Sequence, residues 1–515
     1  MVPINIPLEI KRFFDSEHGR SLMIKGKAGT GKSILSLSIL DVMGDIENSF
    51  YLSTRVANDS LYSQFNWLKD KEWRENLIDA SMDFLQVLSK DQDLRHFRAR
   101  KEDVVDKVET AKKMLSTMRG GKEGWRLETP EHVSRSMLNT ISNSDDLIEI
   151  REIYNRVEKR LPESSLIIID SLEAIIERYD IEARLLIKTL QKDLVERSGV
   201  NLVLVIEEEG PTKWDYLVDG YITMREDEFK GRRIRQIHLN KLRGERIMRP
   251  VYLFTLDNSL FRSFDPLTDE LSIIDPKELP INDEESDSRY EKENSFSTGS
   301  RQLDELLGFG LTQGSFILLE IDESVPLSGK TDIIGPLMLN FLKLDRKLIN
   351  IPLTSREDKE IKSWLRDRVE ERLMDKIITF RPEKDWTLSE EAEFKTYRKR
   401  VRDVYKEALY RSKKPLLTIC EWENIEDSLS YLIDNIDQQS VGKRLLDLMR
   451  ENSDLTIGII RPGLKISQKL KNISDIHLKI FSKDEALILT GEKPNLCIYN
   501  ISLDEEGSPI FIPLV

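Results

Sequence analysis

The run Gly26-Lys27-Ala28-Gly29-Thr30-Gly31-Lys32-Ser33 combines glycines, a lysine and a hydroxyl in the spacing of a phosphate-binding loop. The glycines let backbone N–H groups close around phosphate oxygens, and a following helix adds its N-terminal dipole. Lys32 is placed for the β- and γ-phosphates of a nucleotide, and the Ser33 hydroxyl for Mg²⁺. The flanks suit this chemistry. Apolar Ser21-Leu22-Met23-Ile24 reads as the strand before the loop, and Ile34 to Leu40 as the helix after it. A glycine turn without function is the weaker reading, because strand, loop and helix occur in order.

The elements around the loop predict an α/β fold. Strands are expected at Ser49–Ser53, at Ser165–Asp170 and at Val200–Ile206, with a helix carrying Ala183 to Leu194. Continuous apolar strands alternating with helices indicate a mostly parallel twisted sheet covered on both faces. Strands at Gly220–Met224 and Arg235–Asn240 read as an antiparallel extension. Between about 57 and 160 the chain is charged and poor in glycine, with apolar residues at helical spacing, as in Leu147, Ile148, Ile150, Ile153, Tyr154 and Val157. This stretch is expected to be a helical insert. Asp170, ending its strand, is the acidic residue expected to hold Mg²⁺ together with Ser33.

With 515 residues the chain exceeds a single core, so two or three domains are expected. Residues 266–294 are rich in Asp, Glu, Ser and Pro and read as an acidic linker between a domain at 1–265 and one at 295–515. No apolar run approaches the roughly 20 residues needed to cross a bilayer, and the N-terminal stretch lacks signal-peptide character. Cys420 and Cys497 are the only cysteines, which suits a reducing cytoplasm. The five histidines are scattered and give no metal site beyond nucleotide-bound Mg²⁺. A net charge of −14 disfavours nucleic-acid binding by the whole surface, although basic patches occur at 96–101 and 230–235. Such patches are more often solvated faces than binding sites.

The pattern restarts after the linker. Phe316-Ile317-Leu318-Leu319 leads to Leu327-Ser328-Gly329-Lys330-Thr331, a second phosphate-loop ending, followed by strands at 348–351, 416–419 and 455–460 and a charged helical insert at about 355–412. The two halves read as a divergent tandem repeat. In the second, Gly26 becomes Ser324 and Pro326 constrains the turn. Aligning the strands gives Cys420 in place of Asp170, with Glu421 beside it, and a thiol is a poor Mg²⁺ partner. The second half is therefore expected to be inert in hydrolysis.

These landmarks resemble the KaiC-like branch of the RecA-like ATPases, as tandem domains. Phe296 to Leu311 is similar to that family's domain-opening signature, with Gly314 following. Ile169-Asp170-Ser171-Leu172 resembles its Walker B strand, Val218 to Ile222 a hairpin strand, and Lys241-Leu242-Arg243-Gly244 its Lys-Met-Arg-Gly element. The resemblance covers most of the chain. It implies ATP and Mg²⁺ as ligands and a homo-oligomer, with a hexamer as the family form, in which Lys241 and Arg243 reach a neighbour's nucleotide. In a monomer the same two residues are a surface hairpin end.

Two departures stand out. The first half lacks the domain-opening signature, and its second strand ends Ser53-Thr54-Arg55 where the family carries a water-activating glutamate. That ending resembles the archaeal gas-vesicle regulator group GvpD within the KaiC-like proteins. Loss of a water-orienting group slows turnover without abolishing binding, so slow hydrolysis is expected. Glu207, with Glu208, either substitutes for the missing glutamate or belongs to a solvated acidic turn. Catalytic candidates are thus Lys32, Asp170 and Glu207. The binding candidates are residues 26–33 with Lys241 and Arg243.

The leading expectation is a slowly hydrolysing, cytoplasmic, KaiC-like regulatory ATPase with a protein partner. The alternatives are a RecA-type DNA-processing motor and a nucleotide-binding scaffold without turnover. Net acidity and the short connection from Glu208 to Asp219 count against the motor.

Overall fold

The structure is a computed structural model. Apart from short gaps it describes residues 4–79, 165–266, 295–381 and 454–515, with parts of 150–157, 390–428 and 446–451. The centre of the first insert, the basic run at 96–101 and nearly all of the acidic linker lie outside the described residues. Two compact units emerge. The first comprises Met1–Glu226, Arg235–Val251 and Leu256–Arg262. The second comprises Asp227–Ile234, Tyr252–Thr255 and Ser263–Val515.

Nine strands build the first sheet: β1 (Ser21–Lys25), β2 (Ser49–Ser53), β3 (Leu77–Asp79), β4 (Leu166–Asp170), β5 (Asn201–Ile206), β6 (Gly220–Phe229), β7 (Arg232–Leu242), β8 (Val251–Thr255) and β9 (Arg262–Ser263). Their order is β3-β2-β4-β5-β1-β6-β7-β8-β9. β1 lies parallel between β5 and β6, and β2 lies parallel between β3 and β4. Leu22, Met23, Ile24, Ile167, Ile168 and Ile169 are wholly buried although they alternate in direction, so helices cover both faces. One face packs Ile167 and Ile169 against Ile175, Leu186, Ile187 and Leu190. Ile150, Ile153 and Val157, at helical spacing, join that core.

The second sheet uses β10 (Phe316–Ile321), β11 (Lys347–Ile351), β12 (Ile377–Thr379), β13 (Leu416–Glu421), β14 (Leu455–Ile460), β15 (Ile476–Lys483), β16 (Ala486–Lys493), β17 (Asn495–Leu503) and β18 (Pro509–Pro513). Its order is β12-β11-β13-β14-β10-β15-β16-β17-β18. Adding nine to each label of the first sheet reproduces this order, so the repeat holds strand for strand. β15 to β18 run antiparallel to one another. Both sheets are therefore mostly parallel α/β sheets flanked by helices.

Leu77–Asp79 and Ile377–Thr379 correct the purely helical reading of the two charged stretches. Each is a three-residue edge strand whose order comes from pairing with β2 or β11, a cue that composition does not carry. Among the described residues no helix is long and apolar enough to cross a membrane. Among them, too, no group of three or more His, Cys, Asp or Glu residues could hold a metal ion.

Candidate nucleotide-binding site

β1 is buried along its length and delivers the chain to a loop in which Gly26, Gly29 and Gly31 have φ of 154°, 83° and 96°. Helix α1 (Lys32–Met43) starts directly after Gly31, and no side chain caps its N-terminus. Its first N–H groups thus remain for a ligand. A Cβ on Gly26 would lie 2.6 Å from the Met224 carbonyl oxygen, and one on Gly31 would lie 2.6 Å from Leu256 Cδ1. At Gly29 a Cβ would meet nothing within 4 Å, so the crown of the loop is open. Lys27 and Ala28 are exposed there, while buried Thr30 donates its hydroxyl to the Lys27 carbonyl at 2.9 Å.

Lys32 is 6% exposed and its Nζ donates to the carbonyls of Gly26 at 2.8 Å and Lys27 at 2.7 Å. The ammonium thus lies within the loop. Burial lowers its pKa, against the opposing charges of Glu207, Asp170 and Glu173. Asp170 ends β4 beside it. The Tyr51 hydroxyl donates to Asp170 Oδ2 at 2.5 Å, and burial with the Asp170 charge pushes that phenol well up. Half-buried Ser33 and Asp170 supply hard oxygen donors next to the loop, the donor type that Mg²⁺ takes. The open glycine crown, the lysine and these two oxygens fit a Mg²⁺-nucleotide.

The Ser53-Thr54-Arg55 ending has a structural job. Thr54 is 4% exposed, its N–H donates to the Asp170 carbonyl at 2.8 Å, and its hydroxyl donates to the Ser171 carbonyl at 3.0 Å. β2 is thereby tied to the end of β4. Arg55 then reaches Glu207, with Nη1 2.7 Å from Oε1. That hydrogen bond lowers the Glu207 pKa, which weakens Glu207 as a base.

Lys241 and Arg243 are not brought to this loop within one chain. Lys241 Nζ donates to the carbonyls of Val218 at 2.6 Å and Asp215 at 3.2 Å. Arg243 Nη1 is 3.1 Å from Asp219 Oδ1, and the other oxygen of that carboxylate accepts from the N–H of Ser21, the first residue of β1. Arg243 is thereby tied to the start of β1, the end away from the loop, while Lys241 is held by carbonyls of the segment before β6.

Two residues were not singled out by sequence. Arg235, 8% exposed, donates from Nη1 to the Gly29 carbonyl at 3.1 Å and pairs with Glu226. Its signal lay in the basic run 230–235, which composition assigns to a solvated face. Glu173, in the first turn of α2 (Leu172–Tyr179), accepts the Glu207 N–H at 2.5 Å. Burial raises its pKa.

The second unit departs in its backbone. Helix α3 (Leu327–Lys343) already includes Gly329 and Lys330, with Pro326 as its N-cap, so the glycine turn is replaced by helix. Lys330 pairs with Glu421, and its Nζ lies 3.6 Å from Glu357 Oε2. Contrary to the expectation from aligning the strands, Cys420 does not take the place of Asp170. Ile419 packs with Ile333, Ile334 and Leu337 of α3, whereas Cys420 packs on the other face with Phe316, Leu318 and Trp422. Register agrees, since Asp170 is opposite Val205 and Glu421 opposite Ile459, while Lys25 is opposite Ile206 and Glu320 opposite Ile460. Glu421 is the counterpart of Asp170, so the acidic position is kept.

Residues 10–240 match the family model described as GvpD gas vesicle protein, P-loop domain. The chain is close to GvpD. It is 23% identical to Protein GvpD2 of Halobacterium salinarum over 534 aligned positions, covering 98% of this chain and 94% of that protein. It is 26% identical to Protein GvpD1 of the same organism over 352 positions, covering 67% of this chain and 56% of that protein. The GvpD P-loop match contains the glycine loop, Asp170, Glu173 and Glu207, and stops before Lys241. A P-loop domain is a nucleotide-binding module.

Proposed function

We propose that this chain is an ATP-binding, slowly hydrolysing, KaiC-like regulatory ATPase of the cytoplasm. Its first unit carries the nucleotide and its second acts as scaffold or reader. The observation that carries the reading is the contrast between the two loops. One has three left-handed or near-extended positive-φ glycines and a lysine held by carbonyls that can release it. The other is helical, with its lysine ion-paired.

In the first unit the loop amides and the α1 N-terminus bind the phosphates, Lys32 neutralises the terminal charge, and Ser33 and Asp170 hold Mg²⁺. Bound there, Mg²⁺ supplies charge stabilisation to the transferring phosphoryl group. Nucleotide-dependent ordering around this loop would bias a partner or assembly surface, as in other γ-phosphate switches. Lys241 and Arg243 are bonded to Val218, Asp215 and Asp219 rather than to their own loop, which is compatible with action on a neighbouring copy in a homo-oligomer. The likeness to GvpD supports regulation as the biological output.

The test is titration calorimetry of Mg²⁺-ATP against the parent and K32A, with a phosphate-release assay. Binding that K32A abolishes, with turnover below about 10 s⁻¹, supports the reading. Unchanged binding in K32A, or faster turnover, overturns it. Binding with no turnover marks a nucleotide-binding scaffold, a second reading favoured by the Arg55–Glu207 pairing.

A further inference from the structure

We propose that Glu173 is the carboxylate that orients and deprotonates the attacking water in the first unit. The inference rests on the ATP-hydrolysing reading above and names a residue that the reading leaves open. Three observations lead to it.

First, the strand end that would carry a water-activating glutamate holds Ser53, Thr54 and Arg55. Thr54 is spent on joining β2 to β4. Second, Glu207 is committed to Arg55 across 2.7 Å. Its backbone N–H, not its carboxylate, faces inward to Glu173. Third, Glu173 is held through one carboxylate oxygen and left unpaired at the other. Oε1 accepts from Glu207 N–H, whereas Oε2 is buried without a hydrogen-bond partner among the described residues. A buried carboxylate oxygen left unpaired is costly unless something else fills its place, and a water aimed at a nucleotide is such a group.

Position agrees with this. Glu173 lies three residues beyond Asp170, in the first turn of a helix whose Leu172 and Ile175 are anchored in the core at 0% and 1% exposure. The groups facing it are Lys32 at the start of α1, Arg55 after β2 and Glu207 after β5. Glu173 lies within electrostatic reach of Lys32, the cation proposed to meet the terminal phosphate. Burial, the dominant influence on its pKa, makes it a stronger base than an exposed glutamate.

In the step, Glu173 Oε2 takes a proton from water as the water oxygen bonds to the terminal phosphorus. The bond from that phosphorus to the bridging oxygen breaks, and its electron pair leaves with the nucleoside diphosphate. Glu173 then releases the proton to the product phosphate or to solvent.

The experiment compares the parent with E173Q, E173D and E207Q. It measures Mg²⁺-ATP affinity by calorimetry, phosphate release, and the ATP-to-ADP ratio of bound nucleotide after acid quench. E173Q is expected to bind ATP within about threefold of the parent, to hydrolyse it at least about tenfold more slowly and to retain it as ATP. E173D should fall between the two. Retained affinity shows that the fold is intact. Turnover of E173Q within about threefold of the parent, or a greater loss in E207Q than in E173Q, overturns the assignment. A parent that binds ATP without turnover removes Glu173 as a base and leaves nucleotide binding standing. A parent that fails to bind ATP removes both.

Discussion

Lys330 and Glu421 form a buried ion pair on the α3 face of the second sheet, at the place where the first unit sets Lys32 beside Asp170. Glu357 stands 3.6 Å away as a second acidic neighbour. Burial pushes the Glu421 carboxyl up, and the Lys330 charge opposes it. The lysine that would grip a phosphate is thereby already neutralised.

K330M should destabilise the second unit by about 3 kcal/mol, because it leaves two carboxylates buried without their cation. Adding E421Q should recover part of that loss. Urea unfolding of the three proteins checks this, and ATP affinity should remain at the parent value in all of them. A K330M protein as stable as the parent rejects the account.

The three loop glycines should respond in graded fashion. G29A meets open space and pays only for its φ of 83°, about 1 kcal/mol. G26A drives a methyl to 2.6 Å from the Met224 carbonyl oxygen, a backbone atom that cannot step aside. G31A meets the movable end of Leu256 and should lie between. Thermal melts and ATP titrations should rank the losses 29, 31, 26. Equal effects would contradict the geometry.

Lys25, the last residue of β1, is 1% exposed and pairs with Asp215 at 2.9 Å, donating also to the Gly210 carbonyl at 2.6 Å. K25M would strand a buried carboxylate immediately before the glycine loop. A loss of about 3 kcal/mol is expected, together with weaker ATP binding. Chemical denaturation and calorimetry read the two effects separately. The second unit solves the same position with inverted charge, since Glu320 pairs there with Lys471 at 2.9 Å and, against its burial, the His477 and Lys471 hydrogen bonds pull it down to about 2.

Asp332 in α3 is pushed by burial from its ordinary 3.8 up to about 6, against the attraction of Arg368. The folded state holds this proton more tightly than the unfolded chain. Its contribution therefore favours folding in acid and is lost as pH rises through about 6. D332N should stabilise the second unit at pH 7 by about 1 kcal/mol and change little at pH 4. Urea midpoints at the two pH values decide it, and a pH-independent difference would refute the assignment.

The loop at 26–33, the Asp170 strand and the tandem arrangement were legible in the sequence because each rests on local signals. Glycine spacing needs no tertiary information, and an apolar strand ending in Asp announces itself. The Cys420 alignment failed for a physical reason. Leu416 to Cys420 is buried on both faces, so no polar alternation marks which side a residue takes, and a slip of one position reverses every side chain. Glu173 and Arg235 were hidden because their neighbours, Glu207 and Gly29, are distant in sequence. Lys241 and Arg243 were recognisable as an element, yet only the hairpin geometry reveals that their partners are Val218, Asp215 and Asp219.

The early start of α3 has a consequence for any attempt to revive the second site. Rebuilding an anion nest there requires residues 327–329 to leave a formed helix, giving up its hydrogen bonds and the burial of Gly329 against Leu487 and Val325. No exchange of one side chain achieves that. The second site is thus closed by its backbone as well as by its side chains.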